Sequence, residues 1–196
     1  MIETAAHGTP ATAMLDEVLR AAALEPGEIE CVAVGLGPGS YAGIRGAVAA
    51  AQGWQLARGI KLLGMNSAEC IAWQAHSESL RGRVSVVIDA QRGEVYLAGY
   101  ELDSEGCRAT SPLRLAGIAE ARERERAGEM LIGPEGTRWS PAGRIVFPRA
   151  ATLCRLASGR SDFVSGEKLE PIYLRETAFV KAPPPRQKPI ELQGPK

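Results

Sequence analysis

Histidine, aromatic side chains and net charge are all scarce in this 196-residue sequence. Its two histidines, His7 and His76, lie far apart, with no cysteine or carboxylate at metal-ligand spacing beside either. Aromatic residues make up 5% of the chain, and 23 basic residues balance 23 acidic ones to a formal charge of zero. A neutral chain lacks the broad basic face with which proteins neutralise nucleic-acid phosphates, so any contact with nucleic acid is expected inside a complex. No apolar run is long enough to cross a bilayer, and no basic-then-apolar leader opens the sequence. The four cysteines, Cys31, Cys70, Cys107 and Cys154, form no C-x-x-C pair and are expected to be buried thiols in a reducing compartment. G-x-S-x-G, Walker A and G-x-G-x-x-G motifs are all absent. These absences exclude the commonest hydrolytic, kinase and dinucleotide chemistries and predict a cytoplasmic globular protein.

What is present is an alternation of helices and strands. Thr9–Leu24 reads as a helix, with a Thr-Pro start and apolar residues at Met14, Leu15, Val18 and Leu19. Ile29–Leu36 follows as a strand buried on both faces, then Gly37-Pro38-Gly39-Ser40 breaks the chain before a second helix over about Ala42–Arg58. Ile60–Gly64 is predicted as a strand and Ser67–His76 as a third helix. After Arg81-Gly82, Val84–Ile88 and Glu94–Leu102 flank a turn and predict a hairpin. The charged stretch Ala119–Gly128 reads as a solvated helix, Met130–Ile132 and Ile145–Phe147 as short strands, and Ala150–Ser158 as a helix. The pattern predicts an α/β fold of two lobes, residues 1–81 and 82–180, with a Pro-rich, disordered tail over 181–196.

Two local features invite a functional reading. The Gly37–Ser40 junction opens a helix N-terminus, which can hold an anion, although tight strand-to-helix turns use the same residues. In the helix that follows, Gly43, Gly46, Ala50 and Gly53 recur at three- and four-residue spacing and share a face. Each glycine costs a helix interior about 1 kcal/mol relative to alanine. Close packing of a second helix is the expected reason, either within the chain or from another subunit, and the packing physics is the same for both. Asp89, Arg92 and Glu94 crowd the predicted hairpin turn and can touch a polar ligand or simply solvate it. No complete catalytic set can be assembled from these residues.

Four segments, in order, resemble one known family. Gly37-Pro38-Gly39-Ser40-Tyr41-Ala42-Gly43-Ile44-Arg45 is similar to the G-P-G-S-[FY]-[TA]-G-[VIL]-R signature of the TsaB (YeaZ) proteins. Ala51-Gln52-Gly53 with Gly64-Met65-Asn66-Ser67, then Ile88–Tyr96, then Pro171-Ile172-Tyr173-Leu174-Arg175, resemble its later motifs. The resemblance implies an actin/hexokinase/Hsp70-like ATPase (ribonuclease H-like) fold of two lobes. It implies a non-catalytic subunit for forming N6-threonylcarbamoyladenosine at position 37 of tRNAs reading ANN codons, the alternatives being an ATP-dependent or protease-like enzyme of the same superfamily or a plain homodimeric scaffold. The catalytic partner is TsaD, a paralogue whose metal-binding H-x-x-x-H positions correspond to Ser67 and Ile71 here. By the same resemblance no cofactor is bound by this chain alone, ATP and a metal ion belong to partner subunits, and TsaE, an ATPase, joins the complex. tRNA is reached through that complex, and two copies can pair as a homodimer. The partner interface is expected on the first two helices, at Met14, Val18, Gly43, Gly46, Ala50 and Gly53. A weaker expectation places an anion or nucleotide contact at Gly37, Gly39, Ser40, Arg45, Asp89 and Arg92. Family members begin with strands that this sequence lacks before His7, so the first lobe is expected to be short of its opening strands.

Overall fold

In a computed structural model, residues 11–175 are described, and they form two sheets with helices packed around them. The chain runs α1 (Ala11–Ala22), β1 (Cys31–Gly35), α2 (Tyr41–Arg58), β2 (Lys61–Met65), α3 (Ser67–Ser77), β3 (Gly82–Asp89) and β4 (Glu94–Leu102). It continues with β5 (Cys107–Gly117), α4 (Ile118–Arg126), β6 (Met130–Gly133), α5 (Gly136–Trp139), β7 (Arg144–Ile145) and α6 (Ala150–Ser158). The predicted elements are all found, with ends shifted by a few residues. Two are added: β5, in what reads from sequence as a polar stretch, and the four-residue α5. The expectations for residues 1–10 and 176–196, including His7 and the Pro-rich tail, lie outside the described residues.

β1 and β2 pair in parallel, with Cys31 opposite Lys61 and Gly35 opposite Met65. The second sheet has the order β5-β4-β3-β6-β7, antiparallel across β5-β4-β3 and parallel from β3 through β6 to β7. Val34, Val48, Ala51, Ile60, Leu62 and Leu169 form the core beside the two-stranded sheet. Val84, Val86, Tyr100, Leu102 and Ile132 form the main core of the larger sheet, together with Ile71, Ala72 and Ala75 of α3. α3 was grouped with the first lobe in the sequence reading, yet its buried face packs on the second sheet. Val87, Leu97, Ala121 and Leu131 close the opposite face of that sheet under α4.

Two expectations need correction. β1 is not buried on both faces: only Val34 is buried, Val32 is half-buried and Cys31 is exposed, because the strand borders an open apolar groove between α1, α2 and α6. Of the cysteines only Cys70 is buried, Cys107 is half-buried, and Cys31 and Cys154 are exposed. Burial pushes the Cys107 thiol up to about 12.

Candidate subunit interface

Helix α2 begins cleanly because Ser40 accepts a hydrogen bond from the Gly43 amide at 3.3 Å, and it ends at Gly59, whose left-handed φ of 68° suits glycine. The turn before it is tied down by backbone bonds. Leu36 N–H donates to Met65 O at 2.8 Å, Ser67 N–H to Gly37 O at 2.9 Å, and Ile172 N–H to Leu36 O at 2.8 Å. A Cβ on Gly37 would lie 2.7 Å from Ile44 Cδ1 at a φ of +96°, so this position needs glycine for the turn itself. A Cβ on Gly39 would lie 3.8 Å from the same Ile44 methyl. Ser40 spends its hydroxyl on its own helix. The geometry is that of a tight strand-to-helix turn.

The inner side of α2 carries Val48 and Ala51, with Gln52 Nε2 donating to Gly166 O at 2.7 Å. Its outer side is different. At about 100° per residue, Tyr41, Ala42, Arg45, Gly46, Ala49, Gly53 and Leu56 fall on one face, and every one of them is exposed. Leu56 is 91% exposed and Tyr41 64% exposed. A Cβ built on Gly46 or Gly53 meets nothing within 4 Å. Among the described residues no neighbour therefore explains these two glycines. Gly43 differs, since its Cβ would press on Ser40 Oγ at 3.3 Å.

Beside that face runs an apolar groove of about 650 Å³, bounded by Met14 and Val18 of α1, Ala50 of α2, Val32 of β1 and Leu153 of α6. Val18 is 57% exposed. Of the predicted interface residues, Gly46, Gly53 and Val18 are on the surface, Met14 and Ala50 are half-buried in the groove, and Gly43 serves the cap.

The predicted anion-contact residues are not gathered into one site. Asp89 is occupied: Arg138 donates to its Oδ2 at 2.6 Å and the Gln91 amide to its Oδ1 at 2.8 Å. Arg92 is exposed on the hairpin turn, where it and Gln91 adopt left-handed φ values of 60° and 64°. Arg45 lies instead at the start of the α2 face, its guanidinium 5.1 Å from the Tyr41 ring centre, with Nη1 donating to Tyr41 Oη at 2.5 Å. The Tyr41 phenol, then that of Tyr173, holds the Arg45 guanidinium above its ordinary range. Tyr41 and Tyr173 are themselves neighbours, with ring centres 6.4 Å apart.

Tyr173 belongs to a short strap, residues 171–175, that joins distant parts of the chain. Its Ile172 amide bonds the turn before α2, and Arg175 donates to Ala90 O at 2.7 Å while pairing with Glu94 at 2.7 Å. The sequence reading missed Tyr41, Ala49, Leu56 and Tyr173. Ala49 and Leu56, each three residues beyond a stripe glycine, were legible from it, whereas Tyr41 opens the helix about 140° round from Gly46 and falls outside that spacing. Tyr173 was not legible either, because 132 residues separate it from Tyr41 (173 − 41).

The two positions corresponding to the paired histidines are both committed to structure. Ile71 is fully buried in the core, and Ser67 opens α3 behind its Asn66 cap. Among the described residues no group of three His, Cys, Asp or Glu side chains could hold a metal ion.

The chain as a whole is similar to known proteins. The family model described as "TsaD: tRNA N6-adenosine threonylcarbamoyltransferase" matches residues 2–174. The Escherichia coli "tRNA threonylcarbamoyladenosine biosynthesis protein TsaB" is 28% identical, over 89% of this chain and 83% of its own length. The Haemophilus influenzae protein of the same name is 25% identical, over 89% of this chain and 82% of its own length. A solved structure described as YeaZ from Pseudomonas aeruginosa superposes with a TM-score of 0.73 at 24% identity, covering 88% of this chain and 87% of its own. A second Pseudomonas aeruginosa structure, of an uncharacterized protein with similarity to peptidase YeaZ, also gives 0.73 at 24% identity, over 89% of this chain and 87% of that one. The fold is thus the α/β fold of the actin/hexokinase/Hsp70-like ATPases.

Proposed function

We propose a function from one premise: the chain belongs to the family of the tRNA N6-adenosine threonylcarbamoyltransferase TsaD, and within it to the TsaB (YeaZ) proteins. Its role lies in the biosynthesis of threonylcarbamoyladenosine in tRNA. Within that role it is a non-catalytic subunit that binds TsaD through the outer face of α2 and the adjoining surface of α1, and so supports modification of adenosine 37. The observation that carries this reading is the exposed face of α2, where Gly46 and Gly53 meet nothing among the described residues. Glycine lowers helix stability by about 1 kcal/mol per residue, and small residues let a second helix approach closely. An exposed Leu56 and Val18 on the same surface add apolar area that an isolated subunit leaves in water. Burial of Ile71 in the core supports the non-catalytic part, because isoleucine has no donor atom for a metal. ATP and a metal ion are then the business of TsaD and TsaE, and tRNA is met through the assembly.

The test is size-exclusion chromatography with light scattering on this chain mixed with TsaD of the same organism. A one-to-one complex is expected. Gly53→Leu, which has open space around it, should leave the circular dichroism spectrum unchanged and weaken the complex roughly tenfold or more, as bulk at a tight helix crossing does. Absence of a complex, or a complex indifferent to both Gly53→Leu and Leu56→Glu, would refute the interface.

A further inference from the structure

The free face of α2 has an unusual charge pattern. From Tyr41 to Leu56 it displays alanine, glycine and leucine around a single formal charge, Arg45, and α2 contains no acidic residue at all. A neutral strip of small residues favours close approach and sets no register along the helix. Arg45 is therefore the one point on that face that can fix where a docked surface stops.

The surroundings of Arg45 suit that task. Its guanidinium is fully exposed, and among the described residues no carboxylate lies within salt-bridge distance of it. Arg175 of the strap is instead engaged with Glu94, and Arg138 with Asp89 on the same hairpin. Arg45 is nevertheless not free to wander. Tyr41, one helical turn earlier, accepts its Nη1–H, and its ring lies beneath the guanidinium. Tyr173, 59% exposed, stands beside Tyr41 with ring centres 6.4 Å apart. An arginine offers five N–H donors in a planar fork, and one bond to a phenol leaves most of them available for a bidentate acceptor. Pre-setting the side chain lowers the entropy lost when such a bond forms. Tyrosine and arginine together are also the side chains that most often dominate binding energy at protein interfaces.

We propose that Arg45, framed by Tyr41 and Tyr173, is the anion anchor of this interface and takes a carboxylate of the docked protein at the N-terminal end of the α2 strip. This rests on the docking reading above. A protein carboxylate fits better than an RNA phosphate, because one cation on a neutral face of a chain with zero net charge gives no track for a polyanion. Tyr173 extends the consequence, since its strap is bonded to the hairpin through Arg175. Filling the anchor thus bears on the segment that holds both sheets.

The experiment measures the dissociation constant of the complex with TsaD of the same organism, by calorimetry across a salt series, for the wild type, Arg45→Gln, Arg45→Lys and Gly53→Leu. Arg45→Gln should weaken binding roughly tenfold or more and flatten its salt dependence, as removal of one side of a desolvated charge pair does. Arg45→Lys, which keeps the charge and loses the fork, should fall between it and the wild type while keeping the salt slope. Unchanged affinity and slope for Arg45→Gln, with Gly53→Leu still disrupting the complex, would overturn the anchor and leave the docking reading standing. Indifference of both variants would overturn the two together. Loss of tRNA binding by the assembled complex, with subunit affinity unchanged in Arg45→Gln, would assign Arg45 to RNA and likewise overturn the proposal.

Discussion

Two glycines of this chain are used for opposite reasons. Gly133 ends β6 at a φ of +146°, where an added Cβ would lie 2.1 Å from the Val87 carbonyl oxygen, so the strand crossing depends on the missing side chain. Gly46 sits in an ordinary helical conformation with open space around it. The expected results differ in sign. Gly133→Ala should lower the unfolding free energy by about 3 kcal/mol or more, through backbone strain added to a clash with a carbonyl that cannot yield. Gly46→Ala should raise it by up to about 1 kcal/mol, the difference in helix propensity. Urea titrations of the isolated chain decide both, and a destabilising Gly46→Ala would show that the helix has an internal neighbour after all. The sequence showed that the α2 glycines lie on one face but not which way that face points. Direction depends on what packs against the other side, and Val48 and Ala51 are no more apolar than the Leu56 that remains in water.

Among the elements, helices and the strands of the hairpin were legible because their apolar spacing and their caps are local. β5 was not. Its residues, Cys-Arg-Ala-Thr-Ser-Pro-Leu-Arg-Leu-Ala-Gly, mix a proline with charges. As the edge strand of its sheet it tolerates them, and its register with β4 shifts between Leu97 and Tyr100. The opposite error befell β1, whose apolar run promised burial on both faces. In a parallel pair, alternate residues bond to one neighbour. Leu36 N–H bonds to Met65 O and Lys61 N–H to Glu30 O, so the even-numbered residues of β1 face β2. The amides of Val32 and Val34 should then exchange with solvent slowly, and those of Ala33 and Gly35 much faster, in a hydrogen-exchange NMR experiment on the isolated chain. Equal protection of the two sets would mean that the outer edge of β1 is paired.

At the scale of the whole molecule the two sheets are unequal. Among the described residues the smaller has two strands and one core cluster, while the larger has five strands, two clusters and the support of α3. Unequal cores open at unequal cost. Trp54 lies against the small core and Trp139 against the far face of the larger sheet. Variants that retain only one of these tryptophans should report different urea midpoints, with Trp54 changing first; coincident curves would mean a single cooperative unit. What joins the halves, the strap of residues 171–175, was legible as a motif but not as a contact, because its partners at Leu36, Tyr41 and Ala90 are all more than 80 residues away. The outer face of α2, finally, is a single strip. If it is the docking face proposed above, two occupants cannot hold it at once, and another copy of this chain would compete there with a foreign subunit. The amount of mixed assembly in a cell would then follow the ratio in which the chains are made: surplus copies of this one would form a reserve, and a shortfall would set a ceiling that no increase in the other chain could lift.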